Sequence, residues 1–422
     1  MSPTGRRPRP TLFVLATIFI DTIGFGIVMP VLPQLVMELG HGDIAEATRV
    51  GGWLALLYAL MQFLFGPLMG NLGDRFGRRP VLLASLAGFG LDYLLMGFAP
   101  SLFWLFVGRM FAGIFGAVYG PATAALADLS TPEERARVFG LVGAAFGVGF
   151  IVGPSMGGLL GEISPRAPFL AAAGLAGVNL LYGLFVLPET LKPELRRPFE
   201  WKRANPLGAF LVLRQAPGVL TLSLVYFLWE VSTLVYPCTW SFYAIARYGW
   251  STGMIGLSLA WSGIGMALVQ ALAIGRAVEW LGERRTALVG MVSATLGFVA
   301  FIFAESSWMA FTILTVTALQ GLAHPTLSAM MSRRVSAEQQ GEIQGFIGST
   351  AAVAAILAPL LLNEPLSYFT SQKAPFQFPG AAFAVAALVG LVSLLLMVFS
   401  PPAPEAPGEP RGEGDPRPAS GS

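Results

Sequence analysis

Gly70-Asn-Leu-Gly-Asp-Arg-Phe-Gly-Arg-Arg-Pro80 is a charged hairpin wedged between two long apolar runs. It returns in degraded form as Gly275-Arg-Ala-Val-Glu-Trp-Leu-Gly-Glu-Arg-Arg285, an offset of 205 residues. At that offset Gly70 meets Gly275, Asp74 meets Glu279, Gly77 meets Gly282 and Arg79 meets Arg284. The same offset lays Thr131-Pro-Glu-Glu134 on Ser336-Ala-Glu-Gln339, Gly140 on Gly345 and Pro154 on Pro359. One offset that fits three separated segments marks a duplicated unit, and parallel duplication is a recurring plan for membrane carriers.

Working outward from the hairpin, the chain is 55% hydrophobic and 12% charged with a mean hydropathy of +0.67. Soluble domains are about 25% charged. Apolar runs near the ~20 residues needed to cross a bilayer recur near 11–37, 50–69, 80–98, 102–127, 137–161 and 167–187. Six more follow near 217–241, 252–274, 286–304, 308–331, 343–362 and 379–399. These are spans 1 to 12 of an all-α membrane protein. Residues 1–10 form the N-terminus, 11–187 the first bundle, 188–216 a polar linker, 217–399 the second bundle and 400–422 a tail. The tail is rich in Pro, Gly and Glu, a composition that predicts disorder.

With both termini on the cytoplasmic side, 21 of the 26 Lys and Arg residues fall in inside segments, four fall outside and Arg109 lies within a span. Positive charge stays inside, so this pattern predicts a multi-pass protein of the cytoplasmic (inner) membrane with both ends in the cytoplasm. Asp21 interrupts the first apolar run and no small-residue cleavage site follows, so that run reads as an uncleaved helix. A single Cys238 allows no intramolecular disulfide.

The chemistry of soluble enzymes is missing. The lysines are Lys192, Lys202 and Lys373, none follows Gly or precedes Ser or Thr, and so no phosphate loop is present. Two histidines and one cysteine are too few for a metal centre or a nucleophilic triad. The expectation is no enzyme, no cofactor, no metal and no nucleic acid partner, and transport energy drawn from an ion gradient.

Asp21, Asp92, Arg109 and Glu230 lie about 10–18 Å into spans 1, 3, 4 and 7 at 1.5 Å per residue. That is the middle of a ~30 Å hydrocarbon slab, where a charge costs at least about 2.5–3.5 kcal/mol and should face a cavity or a partner. His324, before Pro325, reads as a neutral hydrogen-bonded imidazole nearer the cytoplasmic side. Asp74 is expected at the start of span 3, where a carboxylate meets unpaired N–H groups.

Span 5 carries Gly140, Gly149, Gly153, Pro154, Gly157 and Gly158 in fixed register. With the 70–80 hairpin, this pattern resembles the major facilitator superfamily, whose antiporters carry such a fifth helix. Within it the chain is most similar to the tetracycline–proton antiporters. The matching stretches are Asp21-Thr-Ile-Gly-Phe-Gly-Ile-Val-Met-Pro-Val-Leu-Pro33, Leu56-Leu-Tyr-Ala-Leu-Met-Gln-Phe63, Asp92-Tyr93, Gly108-Arg-Met-Phe-Ala-Gly113 and Ser164-Pro-Arg-Ala-Pro-Phe169. In the second half Asn205-Pro-Leu207, Leu281-Gly-Glu-Arg-Arg285 and Gln340-Gly-Glu-Ile-Gln-Gly345 also match.

The resemblance implies a major-facilitator-type fold of twelve transmembrane helices in two six-helix bundles, acting as a monomeric drug–proton antiporter. Its partners would be a small-molecule substrate, protons and the lipid bilayer. It implies proton coupling by Asp21, Asp92 and Arg109, and a substrate cavity with Gln62, Tyr226, Trp229 and Glu230. Gating falls to Gly70, Asp74, Arg75, Gly77 and Arg78. The second half departs from the pattern: Met266 stands for a His of span 8, Ala294 for an Asp of span 9 and Glu230 for a Gln of span 7. The alternative on the same fold is a proton symporter importing a small metabolite.

Overall fold

A computed structural model describes residues 8–117, 119–200, 219–336 and 339–400, and every regular element among them is helical. The tail expected over 400–422 and the linker from residue 201 lie outside the described residues, save Ser400. Eleven helices are long and apolar enough to cross a membrane. They match eleven of the twelve expected spans, with longer ends: span 2 runs Ile44–Phe76, span 5 Pro132–Gly161 and span 11 Gln340–Thr370. Asp43 caps span 2 by accepting from the Glu46 N–H at 2.9 Å.

The remaining span, span 10, is broken. Ser307–Thr317 gives way to a 3₁₀ segment, Ala318–Leu322, and then to Ala323–Ser332. The cause is Pro325, whose missing N–H leaves the Gly321 carbonyl without its helical donor. Gln270 Nε2, from a single π-helical turn at Val269–Ala273 in span 8, approaches that carbonyl at 3.4 Å. Irregular backbone at membrane depth is tolerated where neighbouring side chains satisfy it in this way. Spans 1 and 7 are also interrupted, at Met29–Val31 and near Leu234. Large apolar side chains point outward along the spans: Phe185 is 87% exposed and Phe399 80%. A lipid bilayer satisfies such a surface.

The duplication is visible in the backbone. Gly77 ends span 2 and begins span 3 at φ 104°, and Gly282 does the same between spans 8 and 9 at φ 76°. Both need the left-handed region, which disfavours a side chain. Arg79 Nη2 donates to the Leu184 carbonyl at 2.8 Å, and its counterpart Arg284 donates to the Met397, Val398 and Ser400 carbonyls. Each arginine thus caps the last turn of the sixth helix of its own half.

The halves meet at the end far from these hairpins. Asn363 Nδ2 donates to the Thr48 carbonyl at 3.1 Å, Ser367 Oγ to the Ala45 carbonyl at 2.7 Å, and Arg49 pairs with Glu364 at 3.6 Å. Glu162 accepts from the Gly253 N–H at 2.6 Å at the start of span 8. At the hairpin end the glycines of spans 5 and 11 are open. A Cβ built on Gly140, Gly143 or Gly147 of span 5, or on Gly341, Gly345 or Gly348 of span 11, meets nothing within 4 Å. The molecule is closed at one end and splayed at the other.

Candidate functional site

Three cavities that share walls lie between the spans. The smallest, about 10 Å³, holds roughly one water and is bordered by Asp21, Tyr58, Asp92, Tyr93 and Arg109. Three of the four mid-membrane charges read from the sequence therefore converge from spans 1, 3 and 4. Two glycines make the approach possible. A Cβ on Gly24 would collide with the Tyr93 hydroxyl, and one on Gly108 would lie 2.8 Å from Asp92 Oδ1. Asp92 is fully buried, and neither of its oxygens has a hydrogen-bond partner among the described residues. Arg109 Nη2 lies 2.9 Å from Met96 Sδ, and the guanidinium sits 5.7 Å from the centre of the Tyr58 ring. Two carboxyl groups and one fixed cation around space for a water are the parts needed to take up and release a proton.

Phe25, Tyr58 and Arg109 also line a central cavity of 170 Å³. Gln62 faces it from span 2, its amide donating to the Gly116 carbonyl at 3.2 Å. Leu234 and Pro237, at the break in span 7, separate this cavity from a third of 270 Å³ in the second half. That third cavity holds Glu230, with Trp229, Tyr236 and Trp240 as aromatic walls and Gln270 and Gln320 as polar ones. Met266 lines it, and Ala294 is fully buried in packing, so neither departure in the second half restores an ionisable group.

Sequence reasoning missed the partner of Glu230. His324 Nδ1 lies 2.8 Å from Glu230 Oε1, and the Tyr226 hydroxyl is 3.4 Å from the same nitrogen. The break in span 10 ahead of Pro325 brings the imidazole there. Tyr226, read as a cavity residue, is buried behind this pair.

The hairpin also differs from its reading. Asp74 lies on the last turn of span 2 and pairs with Arg78 at 2.6 Å. The carboxylate on the first N–H groups of span 3 is that of Glu189, which accepts from the Arg78 N–H at 2.8 Å. Arg78 also reaches Asp128 of span 4 at 3.8 Å. Arg75 lies 4.9 Å from the Phe76 ring, and Gly70 faces open space. Among the described residues the hairpin's ion pairs stay within the first half.

The glycines of span 5 have two faces. A Cβ on Gly149 or Gly153 would lie 2.8 and 2.7 Å from Thr22 Cβ and the Ile23 carbonyl, and one on Gly157 would collide with the Ile27 carbonyl. Gly158 faces span 8 instead, 2.7 Å from the Thr252 carbonyl on the same construction, and Pro154 packs on Gly26. Close packing of spans 1 and 8 against span 5 is what this register accomplishes. An apolar groove of 730 Å³ between spans 9 and 10 faces outward with exposed Leu296 and Val316 on its wall. It belongs to the lipid surface.

Two pseudo-equivalent six-helix halves around membrane-buried charges define a secondary carrier. The chain belongs to the Major Facilitator Superfamily, whose model matches residues 14–359 and again 232–421. It is 44% identical to the tetracycline resistance protein, class C, of Escherichia coli over 91% of this chain and 95% of that one. It is 41% identical to the class G protein of Vibrio anguillarum (83% and 88% covered) and 28% identical to multidrug resistance protein 2 of Bacillus subtilis (strain 168) (89% and 93%). Among solved structures it resembles nucleoside transporter NupG with a TM-score of 0.76 at 13% identity, covering 92% of this chain and 98% of that one. It also resembles the human organic anion transporter MFSD10, with a TM-score of 0.68 at 24% identity and coverage of 94% and 100%. These structures share the fold.

Proposed function

We propose that the chain is a proton-coupled exporter of amphipathic organic compounds, tetracyclines first among them, and works as a monomer in the cytoplasmic membrane. The observation that carries this reading is the meeting of Asp21, Asp92 and Arg109 around a water-sized space that shares Phe25, Tyr58 and Arg109 with a larger cavity between the halves. Names of relatives up to 44% identical point to drug resistance rather than to metabolite import.

In this reading the hairpin end is cytoplasmic, as its arginines favour, and the open cavity accepts drug from the cytoplasm or inner leaflet. Residues 11–187 and 217–399 are the two moving bundles. Asp21 and Asp92 carry the exchange proton, and Arg109 is their counter-charge. Gln62, Tyr226, Trp229 and Glu230 form the substrate cavity, with Glu230 favouring positively charged compounds. Gly70, Asp74, Arg75, Gly77 and Arg78 act as a gate when the cytoplasmic end closes.

Everted vesicles test this reading. On energisation they are expected to accumulate tetracycline, and drug added to vesicles holding a pH gradient should release protons. Accumulation that leaves the gradient unchanged would remove proton coupling. Uptake only in right-side-out vesicles would instead mark an importer.

A further inference from the structure

Of the three mid-membrane acids, Glu230 alone is hydrogen-bonded to a titratable side chain among the described residues. The exposure of the partners is unequal: the His324 side chain is 55% exposed to the cavity and that of Glu230 16%. A proton on the imidazole therefore has water to leave to, while the carboxylate stays enclosed. Trp229, Tyr236 and Trp240 line the same cavity, and such rings bind cations over their faces.

We propose that the Glu230–His324 pair is a second exchange site, in which a bound organic cation displaces one proton from His324. This rests on the reading of Glu230 as the cation-selecting group. With the imidazole doubly protonated, its Nδ1–H donates to the carboxylate and the pair is neutral overall. A lipophilic cation entering the cavity brings a second positive charge beside a single carboxylate. The imidazolium then breaks one N–H bond, the electron pair stays on the ring nitrogen and the proton passes to cavity water. The neutral imidazole can still donate Nδ1–H to Glu230. One cation enters and one proton leaves; a neutral compound displaces none.

Few other charges intervene. Tyr226 and Tyr236 are the remaining titratable groups beside the pair. On the helices packed against it, Glu283, Arg284, Arg285, Arg333 and Arg334 lie at the hairpin end of spans 9 and 10, Glu342 and Glu364 lie towards the ends of span 11, and Arg276 and Glu279 lie at the hairpin end of span 8. Span 12 carries no charge.

The test is proton release by the purified full chain in weakly buffered detergent at pH 6, where an ordinary imidazole is mostly protonated. The probe is tetraphenylphosphonium. The wild type is expected to release on the order of one proton per bound cation. His324→Gln should bind the cation with no release, and His324→Lys, a cation that does not deprotonate at this pH, should bind it several-fold more weakly. A purely structural role for His324 would move neither. Equal release by wild type and His324→Gln, or binding without release by the wild type, would overturn the exchange. Failure of the wild type to bind the probe, or binding unchanged in Glu230→Gln, would overturn the reading of Glu230 itself and the exchange with it.

Discussion

The two halves of this carrier share a backbone plan and differ in the charges placed on it. Arg78 faces Asp128 at 3.8 Å in the first half. At the same offset the second half places Glu283 against Arg333 at 2.9 Å, the same bridge with its signs reversed. Glycines at positive φ turn both hairpins, and an arginine caps the sixth helix in both. Deeper in the membrane the likeness ends. In the first half the buried Asp92 carboxyl has no hydrogen-bond partner among the described residues, whereas the second has Glu230 satisfied by His324. Turn and cap geometry is fixed by backbone sterics that any copy must obey, while the buried charges answer to what the cavity carries.

The largest difference open to test is the closeness of the fifth helix. Span 5 presents Gly149, Gly153 and Gly157 to span 1, where the 205-residue offset gives Ala354, Ala358 and Leu362 in span 11. Installing the second half's alanines, Gly149→Ala with Gly153→Ala, forces methyl groups onto Thr22 and the Ile23 carbonyl. Overpacking of this kind costs about 1–3 kcal/mol per site, and a clear fall in thermal stability in detergent is expected. Gly140→Ala, in open space, should leave stability unchanged or raised by up to about 1 kcal/mol. It should slow transport if this open face of span 5 becomes packed when the hairpin end closes. A Gly140→Ala protein with wild-type transport would break that account of closure.

A smaller effect is expected from exchanging the bridges. Arg78→Glu alone places a third carboxylate beside Asp74 and Asp128 and should lower transport rate. Adding Asp128→Arg recreates the arrangement of the second half and should restore part of it, with a coupling of about 0.5–1 kcal/mol in a double-mutant cycle. No recovery would mean that Arg78 acts through Asp74 alone.

The smallest concerns the closed end. Hydrogen bonds from Ser251, the Gly253 N–H and Thr252 hold the Glu162 carboxyl below the usual carboxylate range. A depressed pKa adds stability to the closed contact above the unperturbed pKa, which is lost as pH falls through the depressed one. Glu162→Gln should therefore melt slightly lower than wild type at pH 7, and the two should converge in acid once pH has fallen through the depressed pKa. A gap that persists in acid would show that the ionised form is not what matters.

Much of this was legible in the sequence, for identifiable reasons. Span number, the duplication and the hairpins follow from apolar length and from glycines and charges at a fixed offset. Asp21, Asp92 and Arg109 stand out because charges at that depth are costly. The Glu230–His324 contact was not legible. It joins two spans through a backbone break at Pro325, and periodicity locates a residue on its own helix without saying which side chain of another helix it meets. Asp74 was misplaced for a related reason. The hairpin turn falls at Gly77, so Glu189, over 100 residues away, takes the helix-start position that sequence proximity assigned to Asp74.

The central claim is that proton coupling resides in the first half. Its most direct test is drug-induced proton release from acid-loaded everted vesicles, with tetracycline as the neutral or zwitterionic load. Asp21→Asn and Asp92→Asn should each reduce release to background while drug still binds the purified protein. Glu230→Gln and His324→Gln should leave tetracycline-driven release intact. Wild-type release from both aspartate variants, with loss in the Glu230 or His324 variant, would place coupling in the second half and contradict the account.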